Sequence, residues 1–262
     1  MDLFDTHTHL SMRDFERDLL DVLSRAKSVG VKKFLAVGFN FRSSGESVAL
    51  SQKFPQIYAS VGIHPHDAKI VKEGDYSFLE SLLSSKKVVA WGEIGLDYFR
   101  DLSPRDLQKA VFRAQIQLSK KFRLPLIIHD RDAHQDILRI LREEKADEVG
   151  GVMHCFSASW EEARQALNMN FYISFAGNLT YPSSRSVQEA AKKIPSDRIL
   201  VETDCPYLKP FPDRKGRNEP QFVKVILEFL AGLRGEKVED LALRCWENAH
   251  SLFFQGSRQG LV

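Results

Sequence analysis

The chain is poor in cysteine, carries almost no net charge and contains no long apolar stretch. Its three cysteines, Cys155, Cys205 and Cys245, form no paired framework and share no metal-finger spacing, which points to a reducing compartment. Net charge is +2, from 37 basic and 35 acidic residues, so charge alone directs the protein neither to nucleic acid nor to a membrane. No window of about 18 residues is apolar throughout, and Met1-Asp2-Leu3-Phe4-Asp5 lacks a basic region. These features argue against a spanning helix or a signal peptide, and a cytoplasmic protein is expected. There is also no linker, low-complexity stretch or motif-scale repeat. At 262 residues and 43% hydrophobic, the chain can bury one large core, so residues 1–262 are expected to form a single domain.

What the sequence does contain is short β-type runs alternating with longer segments of helical period. The runs fall at about 2–9, 33–38, 57–63, 88–94, 125–129, 150–155, 171–175 and 199–203. Helical patterns cover Asp14–Ser28, Arg105–Phe122, Ala133–Lys145 and Ser183–Lys193, with two more near 219–233 and 238–253. Ser103-Pro104 reads as a helix opening, a capping hydroxyl followed by a proline. Eight strands, each followed by a helix at about thirty residues per unit, match an α/β protein of the (β/α)8 TIM-barrel type. A doubly wound open sheet is the alternative, but it would have to explain functional residues on nearly every strand.

Six of the eight histidines stand at or just beyond the ends of these runs, and carboxylates end two more. In His7-Thr8-His9 the two imidazoles are two residues apart and project to one face of a strand, where they can grip one metal. Asp5 points the same way and is expected to orient a histidine. Glu93 follows Val89-Ala90-Trp91-Gly92, where a carboxylate is costly unless paired or metal-bound, and a bridge between two cations is favoured over a structural salt bridge. His129 ends Leu126-Ile127-Ile128, and His154 follows Val152-Met153. Each is weak alone, yet several strand ends deliver ligands to the same face. Asp204 ends the last run, where it can ligate a metal and accept a proton as general base. Cys155 and Cys205 adjoin better-placed ligands and are read as structural.

These residues carry a family resemblance. Asp5-Thr6-His7-Thr8-His9-Leu10, Gly62-Ile63-His64-Pro65-His66, Gly92-Glu93-Ile94-Gly95-Leu96-Asp97-Tyr98 and Ile128-His129-Asp130-Arg131 resemble signatures of the TatD family of metal-dependent deoxyribonucleases. His154-Cys155-Phe156-Ser157, Ile173–Thr180, Glu202-Thr203-Asp204-Cys205-Pro206 and Arg217-Asn218-Glu219-Pro220 continue the match in order to about residue 254. Ala158 and Cys205 depart from the residues common in the family, without touching a ligand position. The resemblance implies an amidohydrolase-type barrel holding two divalent metal ions, with Mg, Mn, Zn, Fe or Ni all compatible. His7, His9 and Asp204 would hold one ion and His129 and His154 the other, with Glu93 bridging.

Two such ions about 3.5–4 Å apart would acidify a water and polarise a phosphoryl oxygen. Asp204 is then the base, and Glu93 and His64 complete the catalytic set. His66, Arg131, Arg217 and Asn218 are expected to bind substrate; Tyr98, Phe99 and Tyr207 lie at the same face and could stack bases, although core or rim packing is the commoner fate of such aromatics. Lys209, Arg214 and Lys215 share the charged loop but read as solvated. The function expected is a deoxyribonuclease trimming single-stranded DNA from an end. A hydrolase of small ester, amide or aminoacyl substrates on the same fold is the alternative. A metal-stabilised scaffold is disfavoured, because a scaffold needs ligands but no positioned base. DNA as substrate, no membrane, no obligate protein partner and a monomer complete the expectations.

Overall fold

The computed structural model describes residues 1–72 and 74–254. Eight parallel strands follow in sequence order around one sheet: β1 (Leu3–Thr8), β2 (Val31–Val37), β3 (Ile57–Val61), β4 (Val88–Asp97), β5 (Leu126–Arg131), β6 (Gly151–Met153), β7 (Phe171–Phe175) and β8 (Ile199–Val201). The helices between them are α1 (Leu19–Ser28), α2 (Phe41–Lys53), α3 (Tyr76–Leu82), α4 (Arg105–Phe122), α5 (His134–Glu143), α6 (Trp160–Asn168) and α7 (Arg185–Lys193). Two more, α8 (Val223–Arg234) and α9 (Val238–Phe254), follow the last strand. The (β/α)8 barrel expected from the alternating pattern is the fold observed. Among the described residues, no helix is long and apolar enough to cross a membrane.

Strands buried on both faces read as continuous apolar runs, which is why the periodicity is clean in the helices and flat in the strands. The outer strand faces, with Phe34, Trp91, Ile94, Leu126, Ile128 and Ile173, pack against the helices. The inner faces supply a separate cluster that includes Phe4, Leu35, Val89, Ile127, Val152 and Leu200. Ala249 and Phe253 of α9 belong to the same cluster, so the last helix lies against the end of this apolar plug. His129, His154 and Glu202 each stand two residues beyond Ile127, Val152 and Leu200, on the same strand face. The polar layer therefore sits directly on the plug, at the C-terminal ends of the strands where barrel sites form.

The seam between β1 and β8 is closed mainly beyond the strands proper. His9 N–H donates to the Cys205 carbonyl (2.9 Å) and Asp204 N–H to the His7 carbonyl (3.0 Å), and Thr8 forms a parallel bridge with Cys205. Thr6 Oγ1 donates to the Val201 carbonyl at 3.1 Å. Below them Asp5 accepts from Thr203 N–H (2.9 Å) and Thr203 Oγ1 (2.6 Å). Burial pushes the Asp5 carboxyl well up, outweighing those bonds.

Two local expectations differ from what is found. The helix expected over Asp14–Ser28 opens as one short 3-10 turn at Arg13–Phe15, and α1 proper begins at Leu19. The Ser103 hydroxyl does not cap α4. It donates to the His66 carbonyl (2.7 Å) and accepts from Lys69 N–H (3.1 Å), which ties down the loop carrying His64 and His66.

Gly95 has φ +144°, and a Cβ there would overlap the carbonyl oxygen of His129, its partner across β4 and β5. Gly95→Ala should therefore displace β5 where it presents His129 and cost on the order of 100-fold in kcat, since small misplacements are that expensive. Steady-state kinetics beside circular dichroism would check this; full activity in a folded variant would refute the close approach.

Candidate metal centre

The site is a cleft of about 830 Å³ lined by residues at or just beyond the C-terminal ends of all eight strands, among them His9, Phe39, His64, Glu93, Asp97, His129, His154, Asn178 and Asp204. His7 lies fully buried beneath it. Glu93 is the hub. Its Oε1 is 2.9 Å from His129 Nδ1, 3.0 Å from His154 Nε2 and 3.5 Å from His64 Nε2. Its Oε2 faces His7 Nε2 at 3.5 Å and His9 Nε2 at 3.8 Å. Asp204 Oδ1 closes that second side, 3.3 Å from His9 Nε2 and 3.7 Å from His7 Nε2. The two carboxylate oxygens thus address two different sets of imidazoles.

Among the described residues, three groups have ligand atoms within 4.8 Å of one another: His7, His9 and Asp204; His7, His154 and Glu202, which shares His7 with the first; and, separately, His64, Glu93 and His129. The donor set fits divalent cations on two counts. Neutral imidazole and carboxylate suit zinc, manganese, iron and nickel, with magnesium served by the carboxylates. In addition, His7 Nδ1 and Nε2 and His9 Nδ1 are buried without a hydrogen-bond partner among the described residues. An unpaired buried polar atom costs about 1–3 kcal/mol, a penalty that coordination of a ring nitrogen would offset.

The charges are arranged to keep the carboxylates ionised. Burial alone would raise Glu93, but His154, His64 and His129 together hold it well below its ordinary value. Asp204 follows the same logic: burial raises it, and His9, His7 and His154 more than reverse that. His64 goes the other way, because burial and the neighbouring His129 push it well below the usual imidazole range. His154 is pushed well above it, since Glu93 and Glu202 outweigh its burial.

Two residues of the site were not singled out in the sequence. Asp97 Oδ2 lies 3.1 Å from His129 Nε2 and 2.8 Å from His66 Nε2, so it orients both rings. The strand read as ending at residue 94 continues through Gly95 to Asp97, which is why this carboxylate was overlooked. Glu202 Oε1 accepts from Cys155 N–H (2.7 Å) and faces His154 Nδ1 (3.1 Å), while Oε2 accepts from Ser174 Oγ (2.7 Å). Residues 93 and 97, and 202 and 204, share the even spacing that marks His7 and His9, and that parity is the signal that could have found them. Asp5 was expected to orient a histidine; it bonds Thr203 instead, because it sits a layer below the rings, and reaches only the His7 backbone N–H (3.5 Å).

The expected substrate residues divide. His66 and Arg131 line the cleft, with the Arg131 guanidinium 4.0 Å from the centroid of the Phe99 ring. Phe99 and Tyr207 are 57% and 50% exposed, and Tyr207 also lines the cleft. Arg217 and Asn218 are not brought to it. Arg217 is held by both oxygens of Asp18, by Glu219 Oε1 and by the Asp14 carbonyl, over the Phe15 ring. Asn218 is fully buried and donates to the Thr203 and Tyr207 carbonyls, which shapes the loop after β8. Tyr98 is also turned to other partners, its hydroxyl donating to Asp136 Oδ2 (2.6 Å). Cys155 lines the cleft with φ 45°, whereas Cys205 is fully buried.

A barrel with this ligand layer at its C-terminal face defines a metal-dependent hydrolase. The chain belongs to the TatD related DNase family, whose model matches residues 4–254. It is 46% identical over 251 residues to the uncharacterized metal-dependent hydrolase YabD of Bacillus subtilis, covering 96% of this chain and 98% of that one. A protein named 3'-5' ssDNA/RNA exonuclease TatD, from Salmonella typhimurium, is 33% identical over 257 residues, covering 96% and 98%. The crystal structure of YjjV, a TatD homologue from Escherichia coli, superposes with a TM-score of 0.91 at 29% identity, covering 96% of this chain and 97% of that one.

Glu202 tests how far the supporting carboxylates matter. Glu202→Gln keeps the Ser174 and Cys155 contacts in shape but removes the charge facing His154. Metal affinity measured by titration calorimetry should fall about 10–100-fold, as for other partners of ligating histidines. Unchanged affinity would leave Glu202 a purely structural residue.

Proposed function

We propose that this cleft hydrolyses phosphodiester bonds of single-stranded DNA from an end, using two divalent cations gathered around Glu93. The observation that carries the reading is the division of the Glu93 carboxylate between His7 and His9 on one oxygen and His64, His129 and His154 on the other. His7, His9 and Asp204 would hold one cation, His129 and His154 the other, with Glu93 shared. Cations bound there would supply Lewis acidity, lowering the pKa of water and polarising a phosphoryl oxygen. Asp204, kept ionised by His9 and His7, is the group that takes the proton from the attacking water. Its side chain is 12% exposed against 5% for Glu93, so it is the carboxylate that substrate and solvent reach.

His64 is held neutral by its burial and by His129, and its Nδ1 accepts from His66 N–H (3.1 Å). Its Nε2 therefore carries a proton and can donate to an oxygen in the cleft. Arg131 supplies a guanidinium for phosphate, and its stacking on Phe99 fixes that group at the rim. Phe99 and Tyr207 present exposed ring faces on which bases of a flexible strand can stack, while a duplex keeps its bases paired inside. The name of the Salmonella relative supports a 3'-to-5' direction and a single-stranded substrate.

Metal-stripped protein resupplied with Mg²⁺, Mn²⁺ or Zn²⁺ should convert end-labelled single-stranded DNA to a ladder from one end. Asp204→Ala should abolish the ladder while circular dichroism and at least one bound metal persist; retained turnover would remove Asp204 as base. Phe99→Ala with Tyr207→Ala should raise KM for an oligonucleotide by at least about tenfold, given about 1–3 kcal/mol per stacked base, and spare a small activated phosphodiester. Equal losses on both substrates would defeat the stacking role. Hydrolysis of the small diester with no DNA cleavage under any metal would favour the small-substrate hydrolase.

A further inference from the structure

At the opposite end of the barrel, away from the cleft, Lys33 of β2 stands in a ring of aromatic groups. Its Nζ lies 4.5 Å from the centroid of Phe254 and 5.4 Å from those of Trp246 and Tyr58. The nearest polar partner is His250 Nε2, at 2.7 Å. On the other ring nitrogen, His250 Nδ1 lies 2.7 Å from the Trp246 carbonyl. A carbonyl only accepts, so Nδ1 must carry the proton, and the lone pair of a neutral ring is left on Nε2, aimed at the lysine. Lys33 is half-buried, so the amine still meets solvent.

Among the described residues, the other charged group facing this pocket is Lys87, whose Nζ sits 4.2 Å from the Tyr58 ring and donates to the Pro55 and Ile57 carbonyls. Among the described residues no carboxylate pairs with Lys33; its partners there are His250 and the three rings. Burial and the Lys87 ammonium push Lys33 below the usual lysine range, and burial likewise lowers Lys87. Burial also keeps His250 below the usual imidazole range, outweighing the Trp246 carbonyl. With no carboxylate partner among the described residues, a base at hydrogen-bond distance and a second cation close by, Lys33 is chemically unlike a solvated surface lysine.

We propose that Lys33 is a site of covalent acylation by small anionic acyl donors, with His250 as its base and Lys87 as the group that draws the donor in. The amine lone pair of Lys33 forms an N–C bond to the carbonyl carbon of an acyl phosphate, and the C–O bond to phosphate breaks. Phosphate departs with that electron pair, and the proton lost by Nζ passes to His250 Nε2. The product is an uncharged amide on Lys33 and free phosphate, so no oxidant or further reactant is needed.

The test is a time course with acetyl phosphate on the full-length, metal-loaded protein, read by peptide mass spectrometry. Lys33 should acetylate at least about tenfold faster than the exposed Lys86 and Lys237, within the range that a positioned base supplies. His250→Gln, which can keep a hydrogen bond to the amine without basicity, should bring Lys33 down to their rate. Lys87→Gln should slow the reaction with acetyl phosphate but not with the uncharged donor p-nitrophenyl acetate. If wild-type Lys33 reacts no faster than Lys86 and Lys237, the proposal fails even if a variant does not fold. An unchanged rate in folded His250→Gln would equally overturn it, and equal slowing with both donors in Lys87→Gln would overturn the recruiting role of Lys87.

Discussion

The arrangement depends on one seam. β1 and β8 are joined through Asp5, Thr203, Asp204 and Cys205 in the stretch just beyond β8, and the residues that close the barrel are the neighbours of those that face the cleft. Asp204 N–H donates to the carbonyl of His7, while its side chain meets the rings of His7 and His9. Barrel closure and assembly of one half of the ligand set are thus a single event. Asp204 adopts φ 56°, a left-handed conformation that aspartate tolerates better than most residues and that persists where surroundings fix it.

Above the seam, electrostatics replaces packing as the organising force. Glu93, Asp97, Glu202 and Asp204 gather among His7, His9, His64, His129 and His154 on top of an apolar plug. In such a setting a lone carboxylate would protonate and a lone imidazole would lose its proton. Glu93, Asp97 and Asp204 are instead held ionised by the imidazoles around them, and Asp5, one layer down and without an imidazole beside it, is pushed up where Glu93 is pulled down. The contrast between Asp5 and Glu93 separates a carboxyl that serves structure from one that serves chemistry.

Much of this was legible in the sequence, because a parallel barrel repeats one grammar. Apolar runs end in His7, Glu93, His129, His154 and Asp204, and all five converge as the spacing implied. What escaped was decided by local geometry. Asp97 was hidden because Gly95 reads as a turn, although there it lets two strands approach closely. Glu202 was hidden because its role is to hold His154 and Cys155, residues nearly fifty positions away. Arg217 and Asn218 look like substrate groups in a charged loop, yet Arg217 is held by Asp18, 199 positions away, and Asn218 by the Thr203 and Tyr207 carbonyls at the start of its own loop. The helices α2, α3 and α6 went unread: α2 buries Ser43, Ser44, Ser47 and Ser51 on its inner face, and α3 is only seven residues long.

The seam also sets a rule for when the protein can act during its own synthesis. Thr6 and Val201 are 195 residues apart, and Asp5 and Thr203 are 198 apart, so both halves of that ligand set meet only after most of the chain has been made. A nascent chain still holding β8 inside the ribosome has His7 and His9 exposed but lacks Asp204, Glu202 and the closing bonds. Such a chain holds only part of the candidate ligand set and lacks the carboxylate proposed as base. Because the first and last strands share the cleft, the seam bonds and the His7–His9–Asp204 cluster can form only when the polypeptide is nearly complete.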